Sequence, residues 1–98
     1  MAFIHVTIAV RGFIEAEARN GLPDLLDEFQ HRPWLFRPSA VWDTARNCIA
    51  IAIDYEGHDT KLCGQAVLDE VWDCIIACLQ STSDICFELE DASFVSGS

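Results

Sequence analysis

Along residues 47–55, Asn-Cys-Ile-Ala-Ile-Ala-Ile-Asp-Tyr, large and small apolar side chains alternate with a period of two. That is the pleat of a buried strand. Ile49, Ile51, Ile53 and Tyr55 fall on one side, and Cys48, Ala50, Ala52 and Asp54 on the other. The first set is bulky enough to pack beneath helices. The second is small and almost uncharged, a surface that something can approach closely.

The same period marks residues 3–11 as a first strand, β1, with Ile4, Val6, Ile8 and Val10 on one side and Phe3, His5, Thr7 and Ala9 on the other. Arg11-Gly12 punctuates it. Two continuations are open for residues 12–21: alternation through Ile14, Ala16 and Ala18 past a glycine bulge, or the start of a helix rich in Glu and Ala. Leu22, Leu25, Leu26 and Phe29 then form one stripe at helical spacing, with Asn20 as a cap and Pro23 in the first turn, so helix α1 is predicted over 22–31. Residues 39–45 predict strand β2, and Thr44-Ala45-Arg46-Asn47 turns tightly into the 47–55 strand, β3, which makes the pair an antiparallel hairpin.

Asp59 or Thr60 caps a long helix α2 over 61–80. Cys63, Val67, Leu68, Val71, Cys74, Ile75, Cys78 and Leu79 share one half of its wheel; Trp72 lies at the boundary and Ile76 outside it. Ser81 to Asp84 end the helix, and residues 85–95 form β4, with Ile85, Phe87 and Leu89 alternating against Cys86, Glu88 and Glu90. Residues 96–98 read as a frayed tail.

The order β1-α1-β2-β3-α2-β4 is the split βαβ, or ferredoxin-like, arrangement: one α+β domain over residues 1–98, a four-stranded antiparallel sheet with both helices on one face. Right-handed crossovers place β1 and β3 side by side and parallel at the centre, with β2 and β4 at the edges.

Composition narrows the function classes. A chain of 98 residues with 51% hydrophobic and 22% charged residues can build one core. No segment reaches the roughly 18–20 apolar residues of a membrane span, and the N-terminus lacks the positive charges of a signal peptide, so a cytoplasmic protein is expected. Five cysteines, an odd number, read as reduced and buried thiols. Six Lys and Arg against sixteen Asp and Glu give a net charge of −10, which repels phosphate backbones and anionic lipid. A basic protein partner suits that charge; solubility alone accounts for it equally well.

The candidate chemistry lies mainly on the sheet face opposite the helices. His5, Thr7 and Ala9 with Cys48, Ala50 and Ala52 make it small and apolar, and Trp42 is placed there from the edge. Such a face fits a homodimer interface best, a ligand pocket next, and a face covered by the continuation of β1 or by the C-terminal segment last. His5 is the one polar group there suited to acid–base chemistry, but a hydrogen-bonded histidine without function is the stronger reading, so a non-enzymatic domain is favoured. The alternative is a small dimeric α/β-barrel-like binding protein or enzyme with its pocket near His5.

The segment holding Arg32, Trp34, Phe36 and Arg37 mixes guanidinium and aromatic groups, as partner-binding loops do, although its rings can equally cap the core. Asp54, Glu56, His58 and Asp59 are compatible with a metal, but a strand end followed by a helix cap explains them, and Cys63, Cys74 and Cys78 sit on a core face. No metal or cofactor is expected, and no phosphate-cradling glycine loop is present.

Overall fold

The computed structural model describes residues 2–79 and 84–95. It has four strands and two helices in the order β1 (Phe3–Arg11), α1 (Glu15–Gln30), β2 (Phe36–Asp43), β3 (Cys48–Glu56), α2 (Thr60–Cys78) and β4 (Cys86–Phe94). The strands form one sheet in the order β2-β3-β1-β4, with every neighbouring pair antiparallel. Among the described residues, no helix is long and apolar enough to cross a membrane.

The two central strands run antiparallel, not parallel as expected. The crossover through α1 relates β1 to β2, and β3 inserts between them in the reverse direction because a tight hairpin joins it to β2. The ladder pairs Val6 with Ile53, Ile8 with Ile51 and Val10 with Ile49, so the bulky sets of both strands meet on one face. All six of these side chains, and Ile4 with them, are buried under the helices.

Helix α1 begins seven residues earlier than its leucine stripe suggests. Gly12, at φ +112°, turns the chain out of β1. The Ile14 N–H is then taken by the Glu17 carboxylate at 3.1 Å, and Glu15 pairs with Arg19 one turn on at 2.6 Å. Asn20, Gly21 and Pro23, which read as a helix start, lie inside the helix. Tertiary packing overrides that local signal, because Gly21 is buried where α1 crosses the end of α2. A Cβ at Gly21 would stand 2.5 Å from Leu79 Cδ2. Gly21→Val is therefore expected to lower stability by about 2 kcal/mol, measured by urea unfolding; an unchanged midpoint would contradict the close crossing.

Helix α2 follows its predicted face. Asp59 caps it, accepting the N–H groups of Lys61 at 2.9 Å and Leu62 at 3.1 Å. Cys63, Val67, Val71, Cys74 and Ile75 are buried, while Ile76 and Trp72 face outward. Burial pushes the Cys74 thiol up to about 11, which suits a core residue that stays protonated. Cys48 is buried too, but Cys86 is exposed on the edge strand, so burial does not extend to all five thiols. The predicted end of α2 at Gln80, most of the Ser81–Asp84 terminator and the tail at 96–98 lie outside the described residues.

Candidate site on the open sheet face

Two bulges shape the uncovered face. In β2, Phe36 pairs with Asp54 and Ser39 with Ala52, so three steps along β2 match two along β3. Arg37, at φ +48°, absorbs the extra residue. In β4, Asp91 pairs with Thr7 and Leu89 with Ile8, leaving Glu90 as the extra residue. Beyond it the alternation changes phase. Leu89 and Ala92 both lie within reach of Gly64 on α2, whereas Glu88, Asp91 and Ser93 stand opposite Ala9, Thr7 and His5 on the open side.

The β2 bulge completes a polar row across the sheet. Asp54 on β3 is opposite His5 on β1, and His5 is opposite Ser93 on β4. The Asp54 carboxylate accepts from His5 Nδ1 at 2.6 Å through one oxygen and from Arg37 Nε at 2.6 Å through the other. A carboxylate can only accept, so Nδ1 carries the proton of this hydrogen bond and Nε2 takes no part in it. Phe3 flanks the row, its ring meeting Phe36 edge-on at 4.9 Å and lying 5.7 Å from the Arg37 guanidinium carbon. The Ser93 hydroxyl donates to Asp91 at 3.0 Å.

Asp54 is only 6% exposed, the one buried charged residue among those described. Burial alone pushes its carboxyl up, but the hydrogen bonds from His5 and Arg37 outweigh that and hold it below its ordinary value. A depressed folded value means the stabilisation is present above the unfolded carboxyl range and is lost as pH falls through the folded value. Asp54→Ala is thus expected to cost about 1–2 kcal/mol near neutral pH, a figure kept low because Arg37 is largely exposed. The gap from the natural chain should narrow at about pH 3. Denaturant midpoints at both pH values check this; a gap that widens in acid would contradict it.

At the other end of the face a second group covers the small side chains. Arg46, in the β2–β3 turn, pairs with Glu90 on β4, so its side chain reaches across β3 and β1. Arg11 donates to the Arg46 carbonyl at 3.0 Å and stands 3.5 Å from Glu88. Beneath these groups Ala9 and Cys48 are fully buried, while Thr7, Ala50 and Ala52 remain half-buried and Val41 is exposed.

The predicted site residues divide accordingly. His5, Thr7, Ala9, Cys48, Ala50 and Ala52 share the open face as expected. Trp42 does not: it pairs with Ile49, whose side is the helix side, and packs against the core. The Arg32–Arg37 segment is also split. Arg32 pairs with Glu70 on α2 and, at 3.3 Å, with Glu28 on α1, tying the helices together in place of presenting itself to a partner. Trp34 is exposed beside it, and Phe36 with Arg37 joins the open face. Asp54 turns to His5 and Asp59 to the α2 cap, and among the described residues no three His, Cys, Asp or Glu side chains gather around a possible ion position.

Asp54 lies on the small-residue side of β3, as the alternation predicts, but its partnership with His5 follows only from the register, and Ser93 lies outside the predicted site. An antiparallel β1–β3 register deduced from the bulky sets would have brought Asp54 opposite His5; Ser93 was hidden by the β4 bulge. Comparison with protein-family models, with characterised proteins and with solved structures gives no match to this chain.

Proposed function

We propose that this chain is a small acidic interaction domain of ferredoxin-like topology, non-enzymatic and cytoplasmic, that homodimerises through its open sheet face and engages a further protein partner. The distribution of charge carries the reading. Three of the six basic residues, Arg11, Arg37 and Arg46, lie on the open face with six of the sixteen carboxylates: Asp43, Asp54, Glu56, Glu88, Glu90 and Asp91. The other ten carboxylates lie on the helices and connections against three bases, so most of the surplus points away from the sheet. Two copies can therefore meet sheet to sheet without bringing their acidic surfaces together.

The face is also self-complementary. A two-fold axis parallel to the strands lays the β2 edge of one copy, with Phe36, Arg37 and Val41, over the β4 edge of the other, with Glu88 and Asp91. Thr7, Ala50 and Ala52 let the central backbones approach. Light scattering at micromolar concentration should give twice the 10.9 kDa chain mass; a strict monomer would overturn the proposal.

A second reading has a specific observation in its favour. The 2.6 Å contact of Asp54 with His5 Nδ1 leaves Nε2 facing the dimer interior, as a general base or ligand contact requires. Among the described residues the single chain has no cavity of its own, so such a site would form only between two sheets. A His5 ring that still titrates in the dimer, followed by NMR, would favour this enclosed wet site. A ring frozen in one state from about pH 5 to 8 would dismiss it.

A further inference from the structure

Among the described residues, the outer edge of β4 is a further surface that the fold leaves without a partner. The sheet ends there, since among those residues β4 pairs with β1 alone. Helix α2 comes close to the strand at Gly64, where an added Cβ would sit 3.0 Å from Leu89. Two turns further on, contact passes to the Trp72 ring, 4.7 Å from that of Phe87. Trp72 and Ile76, one turn apart, remain 47% and 56% exposed, and Leu89, beside Gly64, is 39% exposed. An apolar ledge thus overhangs one side of an open strand edge. Asp69 and Asp73 border the ledge on α2, and Glu88 and Asp91 stand on the opposite side of the strand.

The two sides of that edge ask for different side chains. A strand paired to β4 would place alternate residues beside Phe87 and the Trp72–Ile76 ledge, and the residues between them beside Glu88. The first set must be apolar and the second is best basic. A second copy of β4 does not meet this requirement: edge-to-edge pairing about a two-fold would bring acidic strands together, the usual defence of an exposed edge against self-association.

We propose that the β4 edge over Cys86–Leu89, with the Trp72–Ile76 ledge, is a strand-addition site for an extended segment of a partner protein that alternates apolar and basic residues. The bulge at Glu90 ends the straight stretch and limits pairing to that half of the strand. The site is separate from the His5–Asp54 row and shares only Glu88 with the proposed dimer face.

Calorimetric titration with a blocked peptide of about eight residues, alternating valine and lysine, tests it. The peptide should bind the natural chain, weaken at least about 10-fold with Trp72→Ala, and weaken again at about 0.5 M salt. A counterpart with glutamate in place of lysine should not bind. Because Trp72 and Ile76 are exposed, Ile76→Lys offers a second variant that keeps the fold, with circular dichroism as the control, and it should weaken binding as well. Equal binding of the glutamate peptide, affinity unmoved by both variants, or no binding at millimolar peptide would each overturn the proposal. So would an oligomer of the chain itself that Trp72→Ala dissociates, since the occupant would then be a second copy.

Discussion

Replacing Gly12 by alanine is expected to destabilise the fold by about 3 kcal/mol or more, the largest single-site loss anticipated outside the apolar core. Two costs act together. The residue sits at φ +112°, a conformation that L side chains rarely adopt. A Cβ there would stand 2.3 Å from the Asp84 carbonyl oxygen, a backbone atom that cannot turn aside as a side chain can. Gly12 is where the chain leaves β1 for α1, and Asp84 leads into β4, so relief of the clash must shift a central strand or an edge strand. For a domain of this size the loss corresponds to a melting temperature lower by about 15 °C. Calorimetry measures it directly. A fall of under about 4 °C would mean that the approach of the two connections is not as tight as described.

Introducing lysine at Ala52 is expected to raise the dissociation constant of the proposed dimer by at least about 100-fold, or about 2.7 kcal/mol. Ala52 pairs with Thr7 on one side and Ser39 on the other, the middle of the open face. In a single chain the new side chain can extend to water, and the fold should survive, because Ala52 is not fully covered. Between two sheets the same ammonium group would be desolvated, and the carboxylate next along its strand face, Asp54, already holds His5 and Arg37. Unfolding curves of natural chain and variant under monomeric conditions should therefore nearly coincide while their association differs.

What could be read from the chain depended on the range of the interactions involved. Period-two alternation in residues 3–11 and 47–55 located both central strands and sorted their faces correctly, because core packing acts on every second residue of a strand. The α2 face was equally legible, since nineteen helical residues repeat the pattern many times. The start of α1 was not. Asn20, Gly21 and Pro23 resemble a helix start locally, and only contact with Leu79, far along the chain, keeps them inside the helix. The direction of β3 is set by its hairpin with β2, whereas crossover handedness links β1 to β2 and does not reach it.

The same antiparallel register assembles the site. His5 and the small residues were identified, but the carboxylate that orients His5 depends on antiparallel register, and the arginine that braces that carboxylate depends on a bulge in β2. Trp42 was assigned to the wrong face because a short strand with an irregular start has little periodicity to read. Single residues that change a strand's phase, Arg37 and Glu90, leave no repeating trace in the sequence. They decide which side chains share a face all the same.

Sedimentation equilibrium of the natural chain beside Ala52→Lys, at matched micromolar concentration and moderate salt, tests most directly the claim that the open sheet face is an interface. The natural chain should sediment at twice 10.9 kDa and the variant, still folded by circular dichroism, at 10.9 kDa. A natural chain that sediments at the monomer mass, or a dimer that Ala52→Lys leaves intact, would contradict it.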